Sequence, residues 1–273
     1  MAGHSLRYAV NLSLLFRELP LRERPAAARD AGFDAAEFWW PFSEAVPSDG
    51  DVDAFVRAVA DSGLQLVGLN FFAGDMAGGD RGIVSVPGRS AEFRDNVDVA
   101  VGIGERLGCR AFNALYGNRL GGDDAAQDEA AVENLAGAAE AAARMGGTVL
   151  VEPVSGAPHY PLRTAAEAVG VLDRVRTATG VTNLGLLADL YHLAVNGEDL
   201  DRVIDTHADR IAHVQIADAP GRHEPGTGTL DLDGCLRSLQ DGGYTGWVAL
   251  EYHPSGSTSD GLRWLPRERR ASA

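Results

Sequence analysis

The chain has 273 residues, of which 45% are hydrophobic, and this length suits one large α/β domain. Its 39 acidic and 24 basic side chains give a net charge of −15, which disfavours binding to nucleic acid or to an anionic membrane. Every basic residue counted there is arginine, and the absence of lysine excludes Schiff-base aldolase chemistry, P-loop nucleotide binding and lysine general bases.

Strand-like and helix-like segments alternate about eight times along the chain. The predicted strands lie at 6–13, 33–40, 64–71, 109–116, 148–154, 184–190, 211–218 and 247–253. Amphipathic helices are predicted between them at 51–62, 92–107, 125–145, 164–177 and 199–207, and several are followed by a glycine that suits a helix C-cap. Eight such units favour a (β/α)8 TIM barrel formed by the whole chain, 1–273, over an open doubly wound sheet.

The ends and the cysteines bear on location. Residues 1–5 and 266–273 are expected to be flexible. Cys109 and Cys235 are far apart and lack metal-ligand spacing, which is typical of buried free thiols in a reducing compartment. The sequence shows neither a membrane-length apolar stretch nor a signal peptide, so we expect a cytoplasmic protein that does not bind membranes.

A polar side chain ends each of the last four predicted strands. These residues are Glu152, Asp189, Gln215 and Glu251. Such groups are costly to bury unless they are paired, hydrogen-bonded or bound to a metal. In a βα barrel the carboxyl ends of the strands open on one face, so the four side chains are expected to converge there. Their hard oxygen atoms favour Mg²⁺ or Mn²⁺ over Zn²⁺, and unrelated salt bridges are the alternative.

This arrangement suggests proton-transfer chemistry. A divalent metal would polarise a substrate carbonyl or hydroxyl group, and two glutamates on opposite sides of that substrate could exchange protons with adjacent carbons. His213 lies two residues before Gln215 and therefore on the same face of its strand, one layer deeper in the barrel. We expect it to be a packed interior histidine and not a ligand.

The first four predicted strands also end in polar residues. These are Asn11, Glu37, Asn70 and Asn113. For each of them, a structural role as a strand-end hydrogen bond or a helix N-cap is as good an explanation as a functional role. Asn70 is kept as a candidate substrate-binding residue.

An anionic substrate would need a cation in so acidic a protein. Arg81 and Arg89 lie in the long connection after strand 3, and Arg222 lies in the connection after strand 7. Each can equally be a solvated surface residue. The backbone N–H groups of 226–228 could assist as an anion nest. His192, three residues after Asp189, could bind a substrate oxygen or have a structural role.

Twelve short motifs carry a resemblance that spans roughly residues 6–264. They lie at 11–16, 74–75, 81–82, 87–89, 92–95, 132–135, 152–153, 189–192, 215–218, 224–228, 251–252 and 261–264. The most specific are Gln215-Ile-Ala-Asp218 and Glu224-Pro-Gly-Thr-Gly228. With these motifs the chain resembles the hydroxypyruvate isomerase family, within the xylose isomerase-like barrels.

The resemblance implies the reversible conversion of hydroxypyruvate into tartronate semialdehyde, with a small anionic 2-oxo acid as the binding partner. It implies that Glu152 and Glu251 are the proton-transfer pair, and that these two residues bind a divalent metal together with Asp189 and Gln215. It also favours Arg222 as the residue that binds the substrate carboxylate. Homo-oligomer formation is left open.

Several other functions remain to be weighed. Gln215 stands where the related sugar epimerases usually carry histidine, which disfavours a ketose 3-epimerase. A 2-oxo-tetronate isomerase shares most of the motifs and stays an alternative. The strong negative charge disfavours a repair endonuclease. A metal-stabilised ligand-binding barrel without turnover is the alternative outside the enzymes.

Overall fold

Eight parallel strands close into a barrel in chain order, with the last strand paired to the first. The computed structural model describes residues 3–271. The strands are β1 (Arg7–Asn11), β2 (Ala35–Phe38), β3 (Gln65–Asn70), β4 (Ala111–Asn113), β5 (Thr148–Val151), β6 (Leu184–Asp189), β7 (Ile211–Ile216) and β8 (Trp247–Leu250). The prediction of a single-domain (β/α)8 TIM barrel is confirmed.

Helices follow the strands around the outside of the barrel. They are α1 (Arg24–Asp30), α2 (Asp49–Ser62), α3 (Ser90–Leu107), α4 (Asp124–Ala143), α5 (Ala165–Thr179), α6 (Leu190–Val195), α7 (Leu200–His207), α8 (Leu232–Asp241) and α9 (Thr258–Gly261). Short 3₁₀ segments lie at Leu21–Glu23, Pro87–Arg89, Ala208–Arg210 and Arg267–Arg269. The five predicted helices are α2, α3, α4, α5 and α7, and each end lies within about two residues of its predicted position.

Local capping explains where the helices begin and end. Gly63 and Gly108 follow α2 and α3 with φ of 74° and 73°, the left-handed conformation in which glycine has no steric penalty. At the start of α5, the Thr164 hydroxyl accepts the Glu167 N–H while the Glu167 carboxylate accepts the Thr164 N–H. The predicted glycine stops are therefore confirmed at these two helix ends.

The barrel interior changes in character along its axis. Small apolar side chains fill one layer, where Ala9, Ala35, Val67 and Ala249 pack together. Closer to the carboxyl ends the interior is polar, and it holds Glu37, His213, Gln215 and the other strand-end residues. His213 is buried with 3% of its surface exposed, so the prediction of a packed interior histidine is confirmed.

Both ends of the described chain contact the barrel. The Ser5 N–H donates to Gln240, and Arg270 donates to the carbonyl groups of Ala31 and Leu262. Residues 1–2 and 272–273 lie outside the described part, and the expected flexibility of 1–5 and 266–273 stays a prediction. Within residues 3–271, none of the helices combines the length and the apolar character that crossing a membrane requires.

Candidate active site

A cavity of about 780 Å³ opens at the carboxyl ends of the strands. Polar side chains from three strand ends and from the connection after β7 line one part of it, namely Glu152, His192, Arg222 and Glu251. Aromatic side chains from the connection after β2 line another part, among them Trp39, Trp40 and Phe42. The cavity therefore joins a charged region to an apolar one, which is typical of a ligand site.

Three carboxylates and one imidazole converge in the charged region. Glu152, Asp189, His192 and Glu251 are all buried, and each offers a ligand atom within 4.8 Å of the others. Glu152 and Glu251 directly follow β5 and β8, while Asp189 ends β6. The barrel closure brings these strand ends together, as the sequence predicted for the three acids.

Asp189 has a second role at the start of α6. Its Oδ1 accepts the backbone N–H groups of Tyr191 and His192, which caps the helix. Its Oδ2 faces the cluster, 3.2 Å from Nη2 of Arg222 and 3.5 Å from Nε2 of His192. One carboxylate thus fixes the helix with one oxygen and leaves the other for the site.

The crowded acids have shifted pKa values. Burial, and then the charge of Asp189, raises the pKa of Glu152 to about 8. Burial also raises the pKa of Glu251 well above its ordinary value, although the Arg222 guanidinium opposes that rise. The free energy cost of holding several negative charges here is therefore large, and a cation in the cluster would lower it.

Arg222 supplies a positive charge beside the cluster. Its Nη2 donates to Glu251 Oε1 at 2.5 Å and to Asp189 Oδ2, and its guanidinium lies 5.4 Å from the centre of the Tyr191 ring. The loop that carries it is held by the carboxylate of Asp218, which accepts the N–H groups of Gly226 and Leu230. Among the predicted arginines, Arg222 is the one that touches the acidic cluster.

The other predicted binding residues lie elsewhere around the cavity. Arg81, Arg89 and Asn70 all line it. Arg89 is paired with Asp80 at 2.7 Å and with Glu92 at 2.6 Å, while Arg81 donates to carbonyl groups of its own loop. These two arginines stabilise the connection after β3 in this arrangement.

The anion nest expected at 226–228 is not formed. The Gly226 N–H donates to Asp218 at 2.8 Å, and the Thr227 N–H donates to the Glu224 carbonyl at 3.2 Å. Both N–H groups are used to fold their own loop, so they are not free to bind an anion. That prediction was wrong, because the sequence does not show which turn a glycine-rich loop adopts.

The hydrogen bonds of His192 determine its tautomer. Its Nδ1 accepts the Ser155 backbone N–H at 3.1 Å, and Ser155 Oγ lies 2.7 Å from the same nitrogen. Burial lowers the pKa of His192 to about 4, so the ring is neutral near pH 7. The remaining hydrogen therefore lies on Nε2, which faces Asp189 and Glu152 as a donor and not as a lone pair.

Buried amides surround the acids. Asn113 Nδ2 donates to Glu152 Oε2 at 2.6 Å, and Asn11 Nδ2 donates to Glu251 Oε2 at 3.0 Å. Gln215, the fourth predicted ligand, lies on β7 in register with Asp189, and its Oε1 is buried without a hydrogen-bond partner among the described residues. An amide oxygen with no partner is a suitable ligand for a hard cation.

Glu37 is the residue of this region whose role the sequence left undefined. Its carboxylate is hydrogen-bonded to Asn11, His213 and Gln215. Burial alone would raise its pKa, but the charge of His213 and the three hydrogen bonds lower the pKa of Glu37 below its ordinary value. A single acidic residue in the apolar run 35–38 was the available signal, and its partner on β7 is 176 positions away.

The comparisons with known proteins agree with this geometry. The family model described as xylose isomerase-like TIM barrel matches residues 25–268. A protein of Streptomyces coelicolor named putative hydroxypyruvate isomerase is 53% identical, over 97% of this chain and 98% of the relative. Hydroxypyruvate isomerase of Escherichia coli is 36% identical, over 95% of this chain and 98% of the relative.

A third relative carries a different substrate in its name. The protein of Cupriavidus necator named 2-oxo-tetronate isomerase is 35% identical, over 95% of this chain and 97% of the relative. All three relatives are named as isomerases, and each is matched over nearly its full length. The chain therefore belongs to the xylose isomerase-like TIM barrel family and is an isomerase.

Proposed function

We propose that this protein interconverts hydroxypyruvate and tartronate semialdehyde (2-hydroxy-3-oxopropanoate) with the help of a divalent cation. The observation that carries the proposal is the pair of buried glutamates, Glu152 and Glu251, which line one cavity and offer oxygen atoms close to Asp189. The names of the two most similar relatives described above support the same substrate.

The donor set suits Mg²⁺ or Mn²⁺. Glu152, Asp189 and Glu251 would hold the cation with their carboxylates, and Gln215 would add its unpartnered Oε1. His192 is not expected to bind the cation, because its Nε2 carries the hydrogen. When bound, the cation would polarise the carbonyl and hydroxyl oxygens of the substrate as a Lewis acid.

The two glutamates would move the proton. One carboxylate removes a proton from C3 of hydroxypyruvate; the C3–H electron pair forms the C2=C3 bond, and the carbonyl electrons move to O2. The hydroxyl proton then passes from O3 to O2. The other glutamate, as the acid, delivers a proton to C2, which leaves an aldehyde at C3 and a hydroxyl group at C2. The raised pKa of Glu152, about 8, suits a carboxyl group that can carry a proton near neutral pH.

Arg222 and His192 would orient the substrate. The Arg222 guanidinium lies at the edge of the cluster and can turn one of its N–H groups to the substrate carboxylate. The N–H at Nε2 of His192 points toward Glu152 and Asp189, where it can donate to a substrate oxygen. His192 is buried and Arg222 is half-buried, which strengthens their hydrogen bonds relative to those in water.

A second candidate is isomerisation of a 2-oxo acid one carbon longer. The cavity of about 780 Å³ is within the size range of sites that hold much larger ligands than a three-carbon acid. Its aromatic part, Trp39, Trp40 and Phe42, gives the additional carbons a surface to pack against. The similarity to the Cupriavidus necator protein supports this candidate.

The deciding experiment is an isomerisation assay with purified protein. Hydroxypyruvate is compared with 2-oxo acids of four to six carbons and with ketoses, in the presence of Mg²⁺ or Mn²⁺ and after chelation. We expect hydroxypyruvate to have the highest kcat/KM, metal-dependent turnover, and deuterium on the product carbon in D₂O. A higher kcat/KM for the four-carbon acid would favour the second candidate. Binding without turnover or exchange would instead indicate a ligand-binding barrel.

A further inference from the structure

Glu37 is the only acid in the run that forms β2, and it lies in the barrel interior with 3% of its surface exposed. Its Oε1 accepts Nε2 of Gln215 at 2.7 Å and Nδ2 of Asn11 at 2.8 Å. Its Oε2 is hydrogen-bonded to Nε2 of His213 at 2.6 Å. Three groups from β1 and β7 therefore share one buried carboxylate.

The neighbouring strand leaves room for this carboxylate. Gly68 on β3 has no side chain, and a Cβ atom there would lie 3.0 Å from Oε2 of Glu37 and 3.2 Å from its Cβ. A side chain at position 68 would therefore make Glu37 shift by a few tenths of an ångström relative to its partners.

Glu37 fixes the orientation of the Gln215 amide. Nε2 of Gln215 donates to Glu37, so the amide directs its NH₂ group to Glu37 and its oxygen away from it. That oxygen is buried and has no hydrogen-bond partner among residues 3–271. A reversed amide would present N–H groups to a cation and would repel it. An amide ligand thus needs an orienting partner.

The same carboxylate reaches the proton-transfer pair through Asn11. Nδ2 of Asn11 donates both to Glu37 and to Oε2 of Glu251, at 3.0 Å. Its Oδ1 accepts the backbone N–H of Ser13, also at 3.0 Å, so this amide cannot reverse without losing that bond. Glu37 is therefore connected to Gln215 on β7 and, through Asn11, to Glu251 after β8.

We propose that Glu37 is the positioning residue of the metal site, because it turns Oε1 of Gln215 toward the cation and, through Asn11, holds Glu251 in place. Ligands of protein metal sites are commonly oriented by a hydrogen-bonded partner of this kind, and loss of such a partner lowers metal affinity by about 10- to 100-fold. This inference rests on the metal-assisted function proposed above.

The test is titration of Mn²⁺ into the purified protein by calorimetry, with no substrate present. Glu37→Met keeps the size of the side chain and removes the acceptor, so the dissociation constant for Mn²⁺ should rise about 10- to 100-fold. Thermal unfolding and circular dichroism of each variant verify that it is folded.

Two variants separate orientation from general stability. Glu37→Gln keeps an oxygen that can accept from the amides of Asn11 and Gln215. Its NH₂ group can donate to Nε2 of His213, whose own hydrogen then lies on Nδ1. The Mn²⁺ affinity of this variant should therefore be close to that of the wild type. Asp128→Leu is the matched control. Asp128 also accepts from three side chains, those of Tyr116, Arg119 and Arg174, but it lies on α4. This control should lower the unfolding temperature and leave Mn²⁺ affinity unchanged.

A further variant displaces Glu37 without removing any polar group. In Gly68→Ala the new methyl group presses on the Glu37 carboxylate. Mn²⁺ affinity should fall, although less than in Glu37→Met. If Glu37→Met does not fold, this variant decides the question.

Three results would overturn the assignment of Glu37. The first is an unchanged Mn²⁺ affinity in folded Glu37→Met or, if that variant does not fold, in Gly68→Ala. The second is a loss of Mn²⁺ affinity in Glu37→Gln as large as in Glu37→Met. The third is a loss of Mn²⁺ affinity of the same size in Asp128→Leu. The wild-type titration separates this inference from the proposed function. If the wild-type protein binds no Mn²⁺, both are wrong, whereas normal wild-type binding with an unaffected variant removes only the role of Glu37.

Discussion

The two halves of the barrel mouth look alike in sequence and differ in chemistry. Strands β1–β4 and β5–β8 are all largely apolar runs with a polar residue within one position of the carboxyl end. In the second half the carboxylates of Glu152, Asp189 and Glu251 meet at one point. In the first half Asn11 and Asn113 donate hydrogen bonds to two of those carboxylates.

The difference follows from electrostatics. Three buried carboxylates repel one another, and each donor from the opposite half offsets part of that cost. The first half therefore orients the groups that the second half presents. Glu37 differs from Asn11 and Asn113, because its carboxylate accepts hydrogen bonds and does not donate them. The role of a strand-end residue depends on what faces it across the mouth.

The largest effect is expected from breaking the second half at its proton-transfer pair. Glu152→Gln and Glu251→Gln each keep one oxygen but can no longer accept the proton, so kcat should fall by about 10²–10⁴-fold. Each change also removes one anionic ligand atom and should weaken metal binding, so the assays use saturating Mn²⁺ to keep the metal bound. Turnover and deuterium exchange in D₂O measure this. Near-normal exchange in either variant would leave that glutamate as a ligand only.

Removing a negative charge from the same half should weaken metal binding. Asp189→Asn keeps an oxygen to cap α6 and removes the anionic oxygen that faces the cluster. Loss of a residue that only orients a ligand can lower metal affinity by roughly 100-fold. Loss of a direct anionic ligand should lower the Mn²⁺ affinity by at least as much. Calorimetric titration measures the change, with the unfolding temperature as the check on the helix cap. Full turnover in rigorously metal-free wild-type protein would contradict the role of the cation.

Arg222 tests whether the second half also binds the substrate carboxylate. Arg222→Ala should raise KM more than it lowers kcat, because a charge-assisted contact contributes about 1.5–3 kcal/mol, or roughly 10- to 150-fold. Steady-state kinetics with hydroxypyruvate give both constants. Arg89→Ala is the control, since Arg89 lines the same cavity but is paired with two acids. An unchanged KM would transfer the carboxylate site to Arg81 or Arg89.

A smaller effect is expected from the orienting half. Asn113→Ala removes the hydrogen bond to Glu152, which should raise the pKa of that glutamate and lower kcat by about tenfold, the equivalent of roughly 1.4 kcal/mol. The pH dependence of kcat should shift toward higher pH relative to wild type. An identical pH profile would show that Asn113 has no influence on Glu152.

The smallest effect lies at the amino-terminal end, far along the chain from the acids. Nδ1 of His4 accepts the Leu6 N–H, and burial lowers the pKa of His4. At pH values between the pKa of His4 in the folded protein and its unfolded value of about 6.5, the unfolded chain binds more protons than the folded protein does. The free energy of unfolding should therefore fall as pH drops below about 6.5, and less so in His4→Gln. Denaturant unfolding of both proteins at several pH values measures the difference. The same pH dependence of the unfolding free energy in wild type and in His4→Gln would contradict this role of His4.

Much of the fold was predictable because its signals are local. The periodic apolar faces of α2 and α3 and the glycines after them set both helix ends to within about two residues. The strands were predicted too long, and 109–116 became Ala111–Asn113. An apolar pattern continues wherever side chains are buried, whereas the strand ends where its backbone stops pairing with both neighbours.

Part of the site was predictable for the same reason. A carboxylate after an apolar strand, as at Glu152, Asp189 and Glu251, indicates the carboxyl end of a barrel whatever the details of packing. The roles of Arg81 and Arg89 were not predictable. An arginine in a long loop carries no signal that distinguishes a substrate contact from an ion pair such as Arg89 with Asp80.

The sequence by itself determined the eight-unit barrel and the acids that end its last strands, because both depend on residues close together in the chain. Only the tertiary structure decided which of the other polar residues meet them. The hydrogen on Nε2 of His192 depends on Ser155, and the amide orientation of Gln215 depends on Glu37, 178 positions away. Such contacts arise from barrel closure and strand register, and a single polar side chain does not encode its distant partner.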